Sequence, residues 1–180
     1  MATDRLTFYG TILASISLDA LDSIVRVIRQ MPAGRTVYVA GNGGSCANAA
    51  HLVLHLREVG VRAIDLTADA AYLTATSNDV SYPEVFSHAL QNQATDRDCL
   101  LVISGSGDSP NILLALLKAK NLGMRTLGLL GCGGGMAAGL CDVALVLESK
   151  DYGPVEVAHD ACIHLMKEML ADGGLTNRSN

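Results

Sequence analysis

Val37-Tyr38-Val39-Ala40-Gly41-Asn42-Gly43-Gly44-Ser45 is a short apolar run that enters a glycine-rich turn, and the stretch Cys46 to Leu56 behind it is helix-compatible. In an open α/β sheet a strand-to-helix turn of this kind lies at the carboxyl edge, where ligands bind. Glycines let the main chain approach an anion, and the free N–H groups of the next helix point at it. The same logic recurs downstream, where Leu100-Leu101-Val102-Ile103 runs into Ser104-Gly105-Ser106-Gly107-Asp108-Ser109. Two hydroxyl- and glycine-rich turns after two buried-type strands point to a cradle for a phosphorylated small molecule. Neither turn carries the Gly-Lys-Ser/Thr of a P-loop, and neither fits a dinucleotide fingerprint.

Working outward, strands are predicted over 36–40, 62–66, 99–104, 125–130 and 142–147. Helices are predicted over 45–58, 68–77, 83–93, 109–121, 134–139 and 154–170. Gly123 stands where a helix-terminating glycine belongs, just before the strand from Met124 to Leu130. Alternating β and α segments with near-continuous apolar strands predict an α/β fold, a doubly wound parallel sheet covered on both faces. Before the first strand, Leu6, Ile12, Leu13, Ile16, Leu18, Leu21, Ile24, Val25 and Ile28 recur at helical spacing, which predicts one long helix over 5–30. It has no crossover to make, so it packs either on a partner subunit or on its own sheet. The whole chain, 1–180, reads as one domain, with 1–33 serving packing or oligomerisation and 171–180 as a frayed tail.

Composition narrows the class. Of 180 residues 49% are hydrophobic, 4% aromatic and none Trp, which describes an Ala/Leu/Val core. Charged residues are 17%, against roughly 25% in an average domain, so part of the surface is expected to be buried in an oligomer. A net charge of −5 offers no basic footprint for nucleic acid. No apolar run approaches the ~20 residues of a membrane helix, and the N-terminus lacks a signal-peptide pattern. The five cysteines, 46, 99, 132, 141 and 162, form no C-x-x-C pair and read as thiols of a reducing, cytoplasmic compartment.

Taken singly, the first turn is also what a sharp turn requires, and Ser109-Pro110 is also a plain N-cap with proline at the first helical position. A cap needs one hydroxyl, however, and Ser104, Ser106 and Ser109 supply three around two glycines. His51 and His55 lie four apart on one helical face, a metal-ligand spacing. Glu156, Asp160 and His164 repeat that spacing on the last helix. In an ideal helix Glu156 and His164 diverge by only about 80°, so both are expected to face a common cleft with His51 and His55. His88 and His159 read as capping or core residues. Asn78-Asp79 reads as a turn, and Gly131 to Gly135 as a flexible connection.

These pieces together resemble the SIS (sugar isomerase) domain family, most closely its phosphoheptose isomerases. The resemblance is carried by Gly41 to Ser45, His51, Ser77-Asn78-Asp79, Ile103 to Ser109 and Glu156 to His164. It implies a five-stranded flavodoxin-like sheet, a homotetramer with sites between subunits, and conversion of sedoheptulose 7-phosphate to D-glycero-D-manno-heptose 7-phosphate. Some members bind zinc. Ser45, Ser104, Ser106 and Ser109 match phosphate- and sugar-holding positions, with Gly43, Gly44 and Gly105 in the same turns. Asn42 and Asp79 match substrate-contacting positions, and His164 matches the catalytic histidine. The chain also departs from the pattern. The family's base is a glutamate where His55 stands, and its glutamine near the start of the last helix is Glu156 here. The threonine of its second turn is Gly105, and the aspartate before the last helix is Gly153. A carboxylate lost at 55 and gained at 156 reads as a compensated swap. It leaves His51, His55, Glu156 and His164 as a set for zinc or another divalent metal.

The expectation is thus an aldose–ketose isomerase of a phosphorylated sugar in which His55, His164 and Glu156 carry the chemistry, His55 as base or as metal ligand. Two alternatives stand beside it. One is an isomerase of another phosphosugar. The other is a non-catalytic SIS module that binds a sugar phosphate or docks a protein, like the DnaA initiator-associating adaptor, whose first turn shares Ala47-Asn48-Ala49.

Overall fold

A computed structural model describes residues 2–172. Its elements run α1 (Ala2–Ala14), α2 (Leu18–Arg29), β1 (Val37–Gly41), α3 (Gly44–Glu58), β2 (Ala63–Asp65), α4 (Ala70–Asp79), α5 (Val85–Gln93) and β3 (Cys99–Ser104). They continue with α6 (Pro110–Asn121), β4 (Arg125–Leu130), α7 (Gly135–Ala138), β5 (Val143–Val146) and α8 (Tyr152–Asp172). The expected frayed tail begins inside α8, and 173–180 lie outside the described residues.

The five strands form one parallel sheet in the order β2-β1-β3-β4-β5. Strand periodicity sorts the core into two layers. Val37, Val39, Leu101, Ile103 and Leu127 pack under α2, α3 and α8. Tyr38, Ala40, Leu100 and Val102 pack under α5 and α6. Because both faces are covered, the strands are largely apolar, as the sequence predicts. The chain leaves β1 toward β2 and then returns to the other side of β1 as β3. Such a reversal opens a crevice at the carboxyl ends of β1 and β3. Both glycine-rich turns sit there.

The single N-terminal helix expected over 5–30 is two helices. Ser17 ends the first run because its hydroxyl accepts the Ala20 N–H at 3.2 Å and caps α2. Their fates differ. α2 buries Leu21, Ile24, Val25 and Ile28 against its own sheet. α1 buries no residue, and it lies beside α8, tied by Arg5 to Asp151 at 2.8 Å. Leu6 stays 75% exposed. Asn78 and Asp79, read as a turn, instead close α4. Among the described residues no helix is long and apolar enough to cross a membrane, and the cysteines are free.

Candidate active site

The first turn is built by what its glycines lack. A Cβ on Gly41 would lie 2.4 Å from the Ser45 carbonyl oxygen, so only glycine lets β1 turn this tightly into α3. Gly43 holds φ +57°, which favours glycine, and Ser45 is buried. The Asn42 amide is locked. It donates to Asn111 Oδ1 and accepts from Asn111 Nδ2, each at 2.9 Å, and Tyr82 Oη donates to its Oδ1 at 3.1 Å.

In the second turn, Ser104 Oγ accepts the Gly107 N–H at 3.0 Å and Ser106 Oγ accepts the Asp108 N–H at 3.2 Å. Ser109 holds the N-cap position of α6, yet its side chain makes no capping bond, so the hydroxyl is left for another acceptor. The glycine segment 131–135, expected to be flexible, is a packed brace. Gly107 has φ +71°, and a Cβ there would stand 2.0 Å from the Gly134 oxygen. Gly107 O accepts the Ala137 N–H at 2.9 Å, and Asp108 Oδ1 accepts the Met136 N–H at 2.8 Å.

Between the turns lies a pocket of about 260 Å³, lined by Asn42 to Ser45 and by Ser104, Gly105, Ser106 and Ser109. The start of α8 closes it with Tyr152 and Glu156. Glu156 approaches because Gly44 has no side chain: a Cβ there would meet Glu156 Oε1 at 2.3 Å. The Glu156 main-chain oxygen accepts from Asn48 Nδ2 at 2.9 Å, while its carboxylate has no partner among the described residues. Asp79 is not part of the lining; it is exposed at the end of α4 and accepts from Asn78 Nδ2 at 2.8 Å. A larger hollow of about 480 Å³ lies far from both turns, among Ile28, Arg29 and Arg62.

α3 and α8 run side by side in the same direction, and the polar residues along their seam meet in matching order. His51 Nδ1 is 2.7 Å from Asp160 Oδ1. His55 Nδ1 is 2.9 Å from Glu58 Oε2, and Lys167 Nζ is 2.6 Å from the same oxygen. Lys167 first, and His55 second, hold the Glu58 carboxyl below the usual carboxylate range. One nitrogen from each of His51, His55 and His164 falls within 4.8 Å of the others. Carboxylates only accept, so Nδ1 of His51 and of His55 carries a proton, and a metal ligand from either ring would be its Nε2. His55 Nε2 is buried without a hydrogen-bond partner among the described residues. Carboxylates that orient imidazoles toward a common point form the usual outer shell of a metal site.

Glu156 does not join this group, against the expectation of a four-residue set. Rotation brings residues eight apart near one face, but the helix also rises about 12 Å between them. Of the other histidines, His88 Nδ1 pairs with Tyr72 Oη at 2.7 Å. His159 is fully buried, with neither ring nitrogen hydrogen-bonded among the described residues. Burial lowers its pKa to about 4. Sequence reasoning missed Asn111 and Tyr152. Both act through contacts distant in sequence, and neither belongs to a local pattern.

The SIS domain pattern matches residues 17–131. The phosphoheptose isomerase of Trichlorobacter lovleyi is 32% identical over 176 residues, covering 94% of this chain and 90% of that protein. The structure of phosphoheptose isomerase from Neisseria gonorrhoeae superposes with a TM-score of 0.88 at 25% identity, covering 96% of this chain and 100% of that one. A phosphoheptose isomerase from Francisella tularensis gives 0.88 at 27% identity, covering 95% of both.

Proposed function

Since the chain belongs to the SIS domain family, among the phosphoheptose isomerases, we propose that it interconverts sedoheptulose 7-phosphate and D-glycero-D-manno-heptose 7-phosphate. The observation that carries the reading is the pocket at the β1/β3 crevice, where uncapped hydroxyls, glycine turns and one unpaired carboxylate converge. The phosphate is assigned to Ser104, Ser106 and Ser109, with Ser45 and the N–H groups at the start of α3 adding donors. Asn42, held by Asn111 and Tyr82, offers a fixed amide to the sugar.

Isomerisation moves one proton between adjacent carbons through an enediol, and a second proton between their oxygens. A base must face the carbon. Glu156 is assigned this role because its carboxylate is unpaired and lines the pocket, whereas Nδ1 of both His51 and His55 is held by a carboxylate. The sugar's carbonyl end is then assigned to the imidazole side. His51, His55 and His164 fit a divalent ion such as zinc, the orphaned His55 Nε2 being the observation that favours it. When bound, such an ion supplies a Lewis acid. The same three histidines on a helix seam that opens to solvent at His164 also leave room for exchange.

The exposed apolar side chains of α1 favour assembly. Leu6, Phe8 and Leu13 face solvent in the single chain, and α1 together with the outer face of α8 is assigned to the interface of a homotetramer.

The swap of carboxylates gives the experiment. Glu156→Gln should lower kcat by roughly 100-fold or more, the usual worth of a general base, with KM nearly unchanged. Full activity of Glu156→Gln on sedoheptulose 7-phosphate would remove Glu156 as base. No turnover of any phosphosugar by the wild-type protein would leave a binding module.

A further inference from the structure

Tyr152 opens α8, one helical turn before Glu156, so both side chains project toward the same pocket. Its ring lies directly on Gly105 of the second turn. A Cβ at 105 would stand 2.4 Å from Tyr152 Cδ1 and 2.6 Å from Cε1. Position 105 can therefore carry a side chain only if the ring leaves, and the ring fills the volume that such a side chain would take. Tyr152 is nonetheless 54% exposed, and its hydroxyl has no hydrogen-bond partner among the described residues. A tyrosine this exposed leaves its hydroxyl to water or to a ligand. This one rests its ring on main chain and turns a free edge to the pocket.

We infer that Tyr152 is a substrate-binding and specificity-determining residue, its ring packing on the carbon chain of the phosphosugar and its hydroxyl bonding a sugar hydroxyl. The inference rests on the proposed phosphosugar isomerase reading. A rigid aromatic face suits the C–H face of a sugar, and the phenol supplies the polar contact such a ligand needs. Its ring lies on Gly105, between Ser104 and Ser106, so it walls the same pocket that the serine hydroxyls line. Tyr152 thus reads the carbon chain, while Ser104, Ser106 and Ser109 read the phosphate common to all candidate sugars. Placing bulk on α8 rather than at 105 makes this wall part of a long helix instead of a turn.

The test compares Tyr152→Phe, Tyr152→Ala and Gly105→Thr/Tyr152→Ala with the wild type. The readouts are KM and kcat on sedoheptulose 7-phosphate and on a five-carbon ketose phosphate, and the inhibition constant of inorganic phosphate. Tyr152→Phe should raise KM for the seven-carbon sugar by roughly three- to tenfold, the loss of one hydrogen bond. Tyr152→Ala should raise it further and flatten the preference between the two sugars. Inhibition by inorganic phosphate should change much less than KM in both, because phosphate draws on the hydroxyl and N–H donors of the turns rather than on the ring. The double variant should remain folded, since the threonine occupies the vacated volume, and should show a sugar preference of its own. Wild-type KM and preference in Tyr152→Ala would overturn the inference while leaving the isomerase reading intact. Equal weakening of phosphate and sugar would also overturn it, since the ring would then only prop the turn. A wild-type protein inactive on both sugars would refute the isomerase reading itself and this inference with it.

Discussion

His159 makes the stability of this fold depend on pH in a way that can be computed. It is buried on the face of α8 that packs into the core, and its pKa falls from 6.5 to about 4 because burial disfavours the charged ring. A group whose folded pKa is depressed stabilises the fold above its unfolded pKa. That contribution is lost as pH falls from 6.5 toward 4, and it levels off below. One pKa unit is worth about 1.4 kcal/mol, so the full loss is about 3 kcal/mol, of which about 2 kcal/mol falls between pH 6.5 and 5. His159→Leu places an apolar side chain of similar size there and removes the titrating group. Urea denaturation at pH 7 and pH 5, at equal protein concentration, should show the variant gaining about 2 kcal/mol on the wild type over that interval. The ring proton resonance of His159 in the wild type should not titrate between pH 7.5 and 5. If the two proteins lose stability in parallel, or if the resonance titrates near pH 6.5, His159 is hydrated and the reasoning is refuted.

Two further outcomes are expected. The protein should bind about one zinc per chain by elemental analysis, and His55→Ala should abolish it. Zinc at a hundred times Kd should raise wild-type stability by about 2.7 kcal/mol, and an absence of any shift in melting temperature on adding zinc or EDTA would count against the histidine site. Leu6→Asp, which replaces an exposed apolar side chain of α1, should shift light scattering from tetramer toward smaller species with the fold intact by circular dichroism; an unchanged mass would move the interface elsewhere.

Which parts of this were legible in the sequence follows from the range of each interaction. The strands were readable because burial on both faces makes them largely apolar, and the crevice was readable because Gly41 to Ser45 and Ser104 to Ser109 directly follow β1 and β3. The break between α1 and α2 was not, since the apolar stripe runs through Ile12, Leu13, Ile16 and Leu18 without interruption. Only the Ser17 cap marks it. Along one helix, angular spacing correctly put His51 and His55 together. Across two turns it misled for Glu156, because facing the same way is not lying at the same height. The pairing of His51 with Asp160 needs the register between α3 and α8, which no single segment encodes.

The residues where the chain departs from its family make physical sense only as spatial pairs. Gly105 looks like the loss of a hydroxyl until Tyr152 is seen to occupy its side-chain volume. His55 looks like the loss of a base until Glu156 is seen unpaired beside Gly44, in the pocket itself. In both cases the proposed roles place on α8 what a turn or α3 lacks, so the proposed chemistry and the shape of the pocket share one helix. A helix carrying Tyr152, Glu156, Asp160 and His164 at successive four-residue steps presents ring, carboxylate, orienting carboxylate and imidazole along one face. The order runs from the pocket between the two turns to the histidine cluster. A single element therefore sets the distances between them, and sliding α8 relative to α3 would disturb the proposed binding and catalytic groups together.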